Sequence, residues 1–334
     1  MASTKNPRFL SAALRVRLRV ALLGWYDAHR RDLPWRETRD PYRVWVSEIM
    51  LQQTRVAAVL EYYRRFLERF PNVESLAKAE LEDVLAVWSG LGYYRRARAM
   101  HAAARLVASQ GGVFPASPSE LLELPGIGRY TAAAIASIAF EHSVAVVDGN
   151  VERVVTRISG ATLSKEDVWR CAEELLCRER PGDWNQAMME LGATVCSPVT
   201  PDCRNCPVQR WCVSKAATAS AAQAPRYRRE LICGLARRGK SVRMVQRPAN
   251  ESLMAGMWEL PVLHSQNGEP VLLRVKHSIT NSDYNVTVVE VGRDVVAAGE
   301  WIAVKRLNEI PLTGLARKIL RKLGIVPESA PAMS

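Results

Sequence analysis

The spacing of apolar residues divides the chain into a part with helical periodicity and a later part without it. From residue 9 to about 215, apolar residues recur at helical steps, as Leu10, Leu14, Leu18 and Leu22 do, and this spacing is typical of amphipathic helices. Short connections bearing Gly or Pro separate the segments. The pattern predicts an all-α region with helices over residues 9–29, 41–55, 56–70, 81–89, 94–109, 119–124, 129–140, 149–159, 165–177 and 184–195.

The pattern changes after a stretch rich in small residues that begins KAATASAAQA at Lys215. Segments of β-type composition follow, separated by Gly, Asn and Pro, over residues 231–235, 242–246, 258–263, 271–275 and 284–291. Residues 302–308 and 314–323 are predicted to be helical. We therefore predict a helical domain over residues 1–214, a linker over 215–228, an α+β domain over 229–326 and a frayed tail over 327–334.

Composition narrows the classes of protein that fit. The chain has 334 residues, 48% of them hydrophobic and 24% charged, which is typical of a globular protein with a sizeable core. Its net charge of +12 favours a polyanionic partner, most simply nucleic acid, although ribosomal and membrane-surface proteins share this feature. No secretory signal is visible, and the longest apolar run, residues 132–140, is too short to cross a bilayer. An intracellular, cytoplasmic location is expected.

Seven cysteines are present, and in a reducing compartment they are not expected to form disulfides. Cys171, Cys177 and Cys233 are scattered and are predicted to be small core residues. The other four lie within seventeen residues and suggest a metal site. Zinc is an alternative, although only one close pair is present. These four residues are Cys196, Cys203, Cys206 and Cys212.

A turn with two glycines joins two predicted helices in the sequence L-P-G-I-G-R-Y-T-A, residues 124–132. Gly126 and Gly128 would permit a tight turn and a close approach of the backbone to a ligand. The N–H groups that begin the next helix would then offer an anion site suited to a DNA phosphate. A plain connection between helices is the alternative.

Two carboxylates stand out by their surroundings. Glu48 lies among Val44, Trp45, Ile49 and Met50, and apolar surroundings would raise its pKa and let it carry a proton near neutrality. Asp148 follows an apolar run and precedes a helical pattern, so it is predicted to cap the helix and stay ionised. An exposed Glu48 and a merely structural cap are the alternatives. If the two environments shift the pKa values in opposite directions, Glu48 can serve as the acid and Asp148 as the anion of one site.

Several motifs together resemble the MutY-type adenine DNA glycosylases of the endonuclease III superfamily. They are L-P-W-R (33–36), V-S-E-I-M-L-Q-Q-T (46–54), G-L-G-Y-Y (90–94), L-P-G-I-G-R-Y-T-A (124–132), V-D-G-N-V-x-R-V (147–154), N-Q-A-M-M-E-L-G (185–192) and the four-cysteine loop. The resemblance covers nearly the whole chain. It implies a helix–hairpin–helix fold of two helical subdomains with a DNA cleft, a structural [4Fe-4S] cluster, and removal of adenine mispaired with 8-oxoguanine or guanine.

The resemblance also assigns roles in the reaction. Glu48 would protonate adenine at N7, and Asp148 would stabilise, or bond to, the C1′ centre of the sugar. Asn150 and Tyr130 would orient Asp148. Endonuclease III-type lyases carry a lysine at the position of Tyr130, which forms a Schiff base with the sugar. This chain is therefore expected to be a monofunctional glycosylase.

Base flipping would require further residues in the helical region. Gln53 and Tyr93 match the residues of the family that fill the base stack. Gln52, four residues after Glu48, is predicted to share its helical face. Residues of the adenine pocket and of the wider DNA contact would be Arg31, Leu33, Trp35, Arg36, Leu51, Gln52, Thr54, Gly126, Gly128 and Gln186.

The C-terminal part resembles the Nudix-like domain that these glycosylases use to recognise 8-oxoguanine. The resemblance rests on Gln246-Arg247-Pro248 and on residues 254–261, MAGMWELP, while the R-E-x-x-E-E hydrolase signature is absent. Recognition without hydrolysis is expected. Relatives often carry H-x-F-S-H where this chain reads H-S-I-T-N from residue 277. Thr280 keeps the hydroxyl, and Ser282 could share its role.

Two other functions fit parts of the pattern. One is a thymine- or uracil-mismatch glycosylase of the same superfamily, against which Glu48, Gln52 and the second domain argue. The other is a DNA-damage-binding protein without catalytic activity, against which the presence of both Glu48 and Asp148 argues. The partner expected in every case is double-stranded DNA, for the leading prediction DNA with an A:8-oxoguanine or A:G mispair, bound by a monomer.

Overall fold

The fold was analysed in a computed structural model, which describes residues 10–214, 226–251, 253–266, 268–279, 281–293 and 299–327. Thr280 and most of the predicted linker and tail lie outside the described residues. The chain packs as two units, one formed by Met1–Gln52 and Gly112–Ala222 and the other by Gln53–Gly111 and Gln223–Ser334. The predicted domain boundaries run along the chain instead, and they stay a prediction.

Helices make up nearly all regular structure before residue 203. In chain order they are α1 Ala12–His29, α2 Pro41–Leu51, α3 Val56–Arg69, α4 Val73–Lys78, α5 Leu81–Trp88, α6 Arg95–Ser109, α7 Pro118–Leu121, α8 Arg129–Phe140, α9 Gly149–Ser159, α10 Lys165–Leu175 and α11 Pro181–Thr194. Single 3-10 turns cover Pro34–Arg36, Cys203–Asn205 and Gln209–Trp211. The predicted all-α region is confirmed.

Several helix predictions were wrong in detail. The helix α4 was missed because its six residues bury only Val73 and Leu76, too few to show a period, and a capping box between Asn72 and Ser75 starts it. The helix α2 was predicted to run to residue 55 but ends at Leu51. The chain leaves the helix at Gln52, where ψ is 115°.

The first unit buries its core between helices α1, α9, α10 and α11. The core includes Leu22, Val155, Trp184 and Leu191. Helix α11 approaches the start of α9 so closely that a Cβ at Gly192 would lie 2.5 Å from the Asn150 Cβ. Any larger residue at position 192 would push against Asn150, so this glycine fixes where α9 begins.

The second unit contains α3 to α6 and the C-terminal α+β region. Its strands are β1 Tyr227–Leu235, β2 Arg237–Arg238, β3 Ser241–Gln246, β4 Trp258–Glu259, β5 Val262–Leu263, β6 Val271–Ile279, β7 Ser282–Glu290 and β8 Glu300–Ala303, and helix α12 is Gly314–Lys322. One sheet has the order β5-β1-β7-β6, with β1 and β7 parallel. In the other, β3 pairs with β2, β4 and β8. Helix α12 joins the core of this region.

Several predictions for the C-terminal region need correction. Residues 302–308 were predicted to be helical, but β8 and a 3-10 turn occupy this part, because Ile302 pairs with Val242 and is buried. Residues 258–263 form two short strands, since Pro261 between them has no N–H for a ladder. Strand β1 begins at Tyr227, four residues before its prediction, where exposed charged residues hid the pattern.

Within the described part of the chain, no helix combines the length and apolar character that crossing a membrane requires.

Candidate functional site

Helix α2 carries Glu48 into the interior of the first unit. Asp40 caps the helix by accepting the Arg43 N–H at 2.9 Å, and nearly every residue from Tyr42 to Met50 is buried. Glu48 is only 5% exposed. Burial raises the pKa of Glu48 to about 7, the charge of Asp148 acts in the same direction, and a hydrogen bond from Tyr130 and the charge of Arg36 oppose it. The burial of Glu48 and its raised pKa agree with the expectation from the sequence, and its role as the acid stays a prediction.

Tyr130, in the first turn of α8, contacts Glu48 directly. Its hydroxyl donates to Glu48 Oε2 at 2.5 Å. The resemblance assigned Tyr130 to the support of Asp148, and the hydrogen bond to Glu48 corrects this part of the assignment. Burial raises the pKa of Tyr130 well above its usual value, and the charges of Glu48 and Asp148 add to the shift. Tyr130 is therefore a neutral donor at the acid.

Asp148 occupies the predicted position before α9. Its Oδ1 accepts the Val151 N–H at 2.8 Å, which makes it the helix cap. Its Oδ2 accepts the Asn150 side-chain amide at 2.8 Å. Both carboxylate oxygens are thus oriented from one side, by a helix N-terminus and by a neighbouring amide.

Arg153, one turn further along α9, is a residue that sequence reasoning missed. Its guanidinium donates to Asn150 Oδ1 at 2.8 Å and to the Gly192 carbonyl at 2.6 Å. Its Nε donates to the Cys196 carbonyl at 2.7 Å. Arg153 therefore connects the amide that orients Asp148 with the start of the cysteine loop. Its position three residues after Asn150 was the available signal.

Glu190 was also missed as an individual residue, although it lies in the N-Q-A-M-M-E-L-G motif. It is 1% exposed and accepts two side-chain hydrogen bonds from Arg31, each 2.7 Å long, and one from Arg36 at 2.8 Å. Burial alone would raise the pKa of Glu190, but the bonds from Arg31 and Arg36 outweigh it and lower the pKa to about 2. This carboxylate fixes both predicted pocket arginines around the segment that contains Trp35.

The other predicted pocket residues lie in the first unit. Leu33 and Trp35 are buried, whereas Leu51 and Gln186 are half-buried. Gln52 lies beyond the end of α2, not on the helical face of Glu48 as predicted. Its side-chain amide donates to Thr131 Oγ1 at 3.1 Å. Gln52 therefore reaches α8 one residue after Tyr130.

The two predicted wedge residues and Thr54 lie in the second unit. Gln53 and Tyr93 share an uncommon backbone conformation, with φ of 55° and 51°. Tyr93 is 45% exposed. Arg96 lies 5.3 Å from the Tyr93 ring centroid and donates to Thr54 Oγ1 at 3.2 Å. One arginine thus contacts the loops of both wedge residues.

The hairpin at residues 124–132 presents its backbone to solvent. Leu124 and Ile127 are buried, whereas Gly126 and Gly128 are exposed. Gly126 has φ of 77°, which requires glycine, but Gly128 has φ of −97° and does not. Gly128 precedes α8 without a side-chain cap, so the first N–H groups of α8 are available to an anion.

All four clustered cysteines line one pocket beside α9. Arg157 of α9 is buried and donates to Cys196 Sγ at 3.2 Å and to the Ser197 carbonyl at 2.7 Å. Among the described residues no group of three or more His, Cys, Asp or Glu is arranged around a single metal ion. In an iron–sulfur cluster each cysteine binds a different iron, so the donors surround a larger body. Four thiols in one pocket fit that donor set.

The recognition loop predicted in the C-terminal region is a turn between β6 and β7. Ser282 pairs with Ile279 and is buried, and its hydroxyl lies 3.5 Å from Asn281 Oδ1. Thr280 lies outside the described residues. The Ser282 hydroxyl thus contacts the turn itself. Cys171, Cys177 and Cys233 are buried, as predicted.

This chain is similar to several known proteins of DNA repair. A family model described as HhH-GPD superfamily base excision DNA repair protein matches residues 46–176. The adenine DNA glycosylase of Mus musculus is 50% identical over 210 residues, which cover 58% of this chain and 41% of the mouse protein. That of Arabidopsis thaliana is 38% identical over 297 residues, which cover 73% of this chain and 47% of the plant protein. The chain thus spans less than half the length of these two relatives.

One solved structure is matched over almost its whole length. The structure of a thermostable thymine-DNA glycosylase has 31% sequence identity to this chain and a TM-score of 0.57, and the match covers 60% of this chain and 96% of that one. The match takes in nearly the whole of that glycosylase, and the family model covers α2 to α10. The chain belongs to the HhH-GPD superfamily of base excision DNA repair proteins.

Proposed function

We propose that the protein is a monofunctional DNA glycosylase that flips out and excises adenine mispaired with 8-oxoguanine or guanine. The observation that carries the proposal is the buried Glu48, whose pKa is raised to about 7 and whose Oε2 accepts from Tyr130, within the electrostatic influence of Asp148. An acid and an anion held in contrasting environments are what cleavage of a glycosidic bond needs. The names of the mouse and plant relatives support adenine as the base.

In the proposed reaction, the two carboxyl groups have separate roles. Glu48 transfers its proton to N7 of the flipped adenine, and the C1′–N9 bond breaks with its electron pair leaving on the base. The positive charge that develops on the sugar is stabilised by the Asp148 carboxylate, directly or as a bond to C1′. Water then adds at C1′, displacing Asp148 where the two had bonded, and its proton passes to the Glu48 carboxylate, which restores the acid and leaves an abasic site.

Asn150 and Tyr130 assist these two groups differently. Asn150 donates to Asp148 Oδ2 and holds the carboxylate in one orientation. Tyr130 donates to Glu48 Oε2, which leaves Oε1 as the oxygen for the proton that goes to the base. A neutral phenol cannot form a Schiff base, so strand cleavage by β-elimination is not expected. Borohydride should trap no covalent DNA complex at the rate of base release.

Other backbone and side-chain groups of the protein would bind the DNA away from Glu48 and Asp148. The N–H groups after Gly128 would bind a phosphate, and Gln53 and Tyr93 would enter the base stack. The adenine pocket would include Arg31, Trp35 and Gln186. In the C-terminal region, a Nudix-like domain would recognise the opposite base through the turn between β6 and β7, where the sequence places Thr280 and Ser282. The protein would act as a monomer.

A [4Fe-4S] cluster bound by Cys196, Cys203, Cys206 and Cys212 would supply a structural cross-link and no step of the reaction. The cross-link would hold a loop that exposes Arg204 and Arg210. Arg157 would donate to the Cys196 sulfur, as it does here at 3.2 Å. Hydrogen bonds to cluster sulfurs are one of the ways in which a protein adjusts such a site.

Excision of thymine is the second candidate, because a solved structure that this chain covers almost completely is named a thymine-DNA glycosylase. One assay separates the candidates. Duplexes with A opposite 8-oxoguanine, T opposite G or U opposite G are incubated with the protein and with Asp148→Asn. We expect adenine release by the wild type alone. Release of thymine or uracil instead, no release at all, or undiminished adenine release by the variant would overturn the proposal.

A further inference from the structure

The loop that carries Tyr93, here called the wedge loop (residues 89–94), makes buried polar contacts with the C-terminal region. Ser89 Oγ donates to the Leu312 carbonyl at 2.6 Å, and Arg317 Nε donates to Ser89 Oγ at 3.1 Å. The Tyr94 hydroxyl lies 3.4 Å from the same Leu312 carbonyl. Ser89 is 2% exposed and Arg317 7%. One serine hydroxyl is thus held between the segment before α12 and α12 itself.

The opposite side of the wedge loop is also confined. Tyr62 of α3 donates to the Ser89 carbonyl at 3.0 Å. Gly90 has φ of 105°, and a Cβ there would lie 2.2 Å from the Tyr62 hydroxyl. Tyr93 keeps a positive φ within this loop while its side chain reaches solvent. Such a conformation persists only where the surroundings enforce it, so contacts at Ser89 bear on the position of Tyr93.

Helix α12 also contacts the strand that leads to the predicted recognition turn. Lys318 Nζ donates to the Lys276 carbonyl at 2.7 Å. At the first residue of α12, a Cβ on Gly314 would lie 3.8 Å from His277 Cε1. Thr313 caps the helix, and its N–H donates to the Trp258 carbonyl at 2.9 Å. One nine-residue helix therefore touches both β6 and the wedge loop.

Arg317 has no role in the proposed reaction, yet its guanidinium is buried. Within the described residues it forms no ion pair, and its Nε bonds the neutral Ser89 hydroxyl. Burying a charge without a carboxylate partner is unfavourable unless the hydrogen bonds are well placed. The unpaired burial of Arg317 is explained if its hydrogen bond to Ser89 positions the wedge loop.

We infer that α12 couples strand β6, at Lys276 and His277, to the wedge loop, with Arg317 and Ser89 as the positioning residues. The opposite base, bound at the end of β6, biases α12 through His277 and Lys276, and α12 sets the position of Tyr93 through Ser89. This inference rests on the proposed function. It adds that 8-oxoguanine is distinguished from guanine partly by how well the wedge enters the stack.

The test compares Arg317→Met and Ser89→Ala with Lys322→Met, a control at the exposed end of the same helix. Single-turnover adenine release is measured opposite 8-oxoguanine and opposite guanine, and 2-aminopurine beside the mispair reports unstacking. We expect the ratio of the two rates to fall about tenfold in both variants, the size of effect seen along coupled paths. The 2-aminopurine signal for unstacking should fall together with this ratio, and only on the duplex that contains 8-oxoguanine. The control should match the wild type.

Further variants keep the outcome decisive. The double variant should lower the ratio no further than either single variant, because both substitutions remove the same hydrogen bond between Arg317 and Ser89. Ser89→Ala deletes only one oxygen, so it still tests the coupling if Arg317→Met fails to fold. Arg317→Lys should restore part of the ratio of the two release rates. An unchanged ratio, equal losses on both duplexes, or a normal unstacking signal would overturn the coupling. If the wild type releases no adenine, the proposed function fails, and the unstacking signals of the two duplexes still test the coupling.

Discussion

The guanidinium of Arg153 donates a 2.8 Å hydrogen bond to Asn150 Oδ1, and Asn150 in turn donates to Asp148. The same arginine donates to the Cys196 carbonyl. Asp148, the carboxylate proposed to stabilise the sugar, is therefore linked through Asn150 and Arg153 to Cys196, the first residue of the cysteine loop. Arg153 is only partly buried, and burial lowers its pKa.

Replacing Arg153 with Met should slow adenine release about 10- to 100-fold, because small misplacements of reacting groups have effects of that size. Binding of the mispaired duplex should change much less, since Asn150 and Asp148 remain. Single-turnover rates and a binding titration check both expectations. Arg170→Met, an exposed arginine on α10, is the matched control. A variant with the wild-type rate would contradict the positioning role of Arg153.

The pKa of Glu48, near 7, makes the proposed reaction sensitive to pH. Only the protonated acid transfers a proton, so the rate should be full below the folded pKa and decline as pH rises through about 7. Tyr130→Phe removes the hydrogen bond that lowers this pKa, so the decline should move to higher pH. Single-turnover rates from pH 5 to 9 measure both profiles. A decline that moves to lower pH in Tyr130→Phe would contradict the assignment.

Glu190 stabilises the first unit through its bonds to Arg31 and Arg36. Its pKa falls from 4.5 to about 2, so its stabilising contribution is complete above pH 4.5 and is lost as pH falls through about 2. Glu190→Gln leaves two arginines without their carboxylate and should lower the free energy of unfolding by about 3 kcal/mol. Denaturant unfolding at pH 7 tests this.

The control for Glu190 is Glu141→Gln, which breaks an exposed ion pair with Arg39 and should change stability little. The difference between the two variants should also shrink as pH falls through about 2, where Glu190 takes up its proton. Equal effects of both substitutions at pH 7 would show that burial of the Glu190 network adds nothing.

The two hairpin glycines should respond differently to alanine. Gly126 has a positive φ, so Gly126→Ala should lower the free energy of unfolding by about 1–2 kcal/mol. Gly128 has φ of −97° and open space at its Cβ, so Gly128→Ala should fold with unchanged stability. A phosphate on the N–H groups after Gly128 would clash with the added methyl, so DNA affinity should still fall. Unchanged affinity in Gly128→Ala would contradict this contact.

Much of the candidate site was predictable because its signals are local in the sequence. Asp148 is a cap because an apolar run meets a helix there, and Glu48 is buried because its neighbours on α2 are apolar. The start of α8 follows directly from a glycine turn. These features depend on residues a few positions apart, where helical spacing is informative.

Contacts between distant residues were not predictable in the same way. Glu190 and Arg31 are separated by 159 positions, and no local pattern relates a carboxylate on α11 to an arginine before α2. Tyr130 was assigned to the wrong carboxyl because its position in the motif does not say which way the phenol points. Strand β8 was predicted to be a helix because its burial comes from pairing with β3.

The contact between Leu312 and Ser89 also limits how the protein can be divided into fragments. A fragment that ends before residue 226 would keep the whole glycosylase signature, but it would uncover the Ser89 and Tyr94 hydroxyls and remove the carbonyl they share. Its wedge loop would be confined on one side only. Such a shortened chain would therefore be a poor stand-in for the intact protein in assays of base flipping, even where its acid and its anion remain in place.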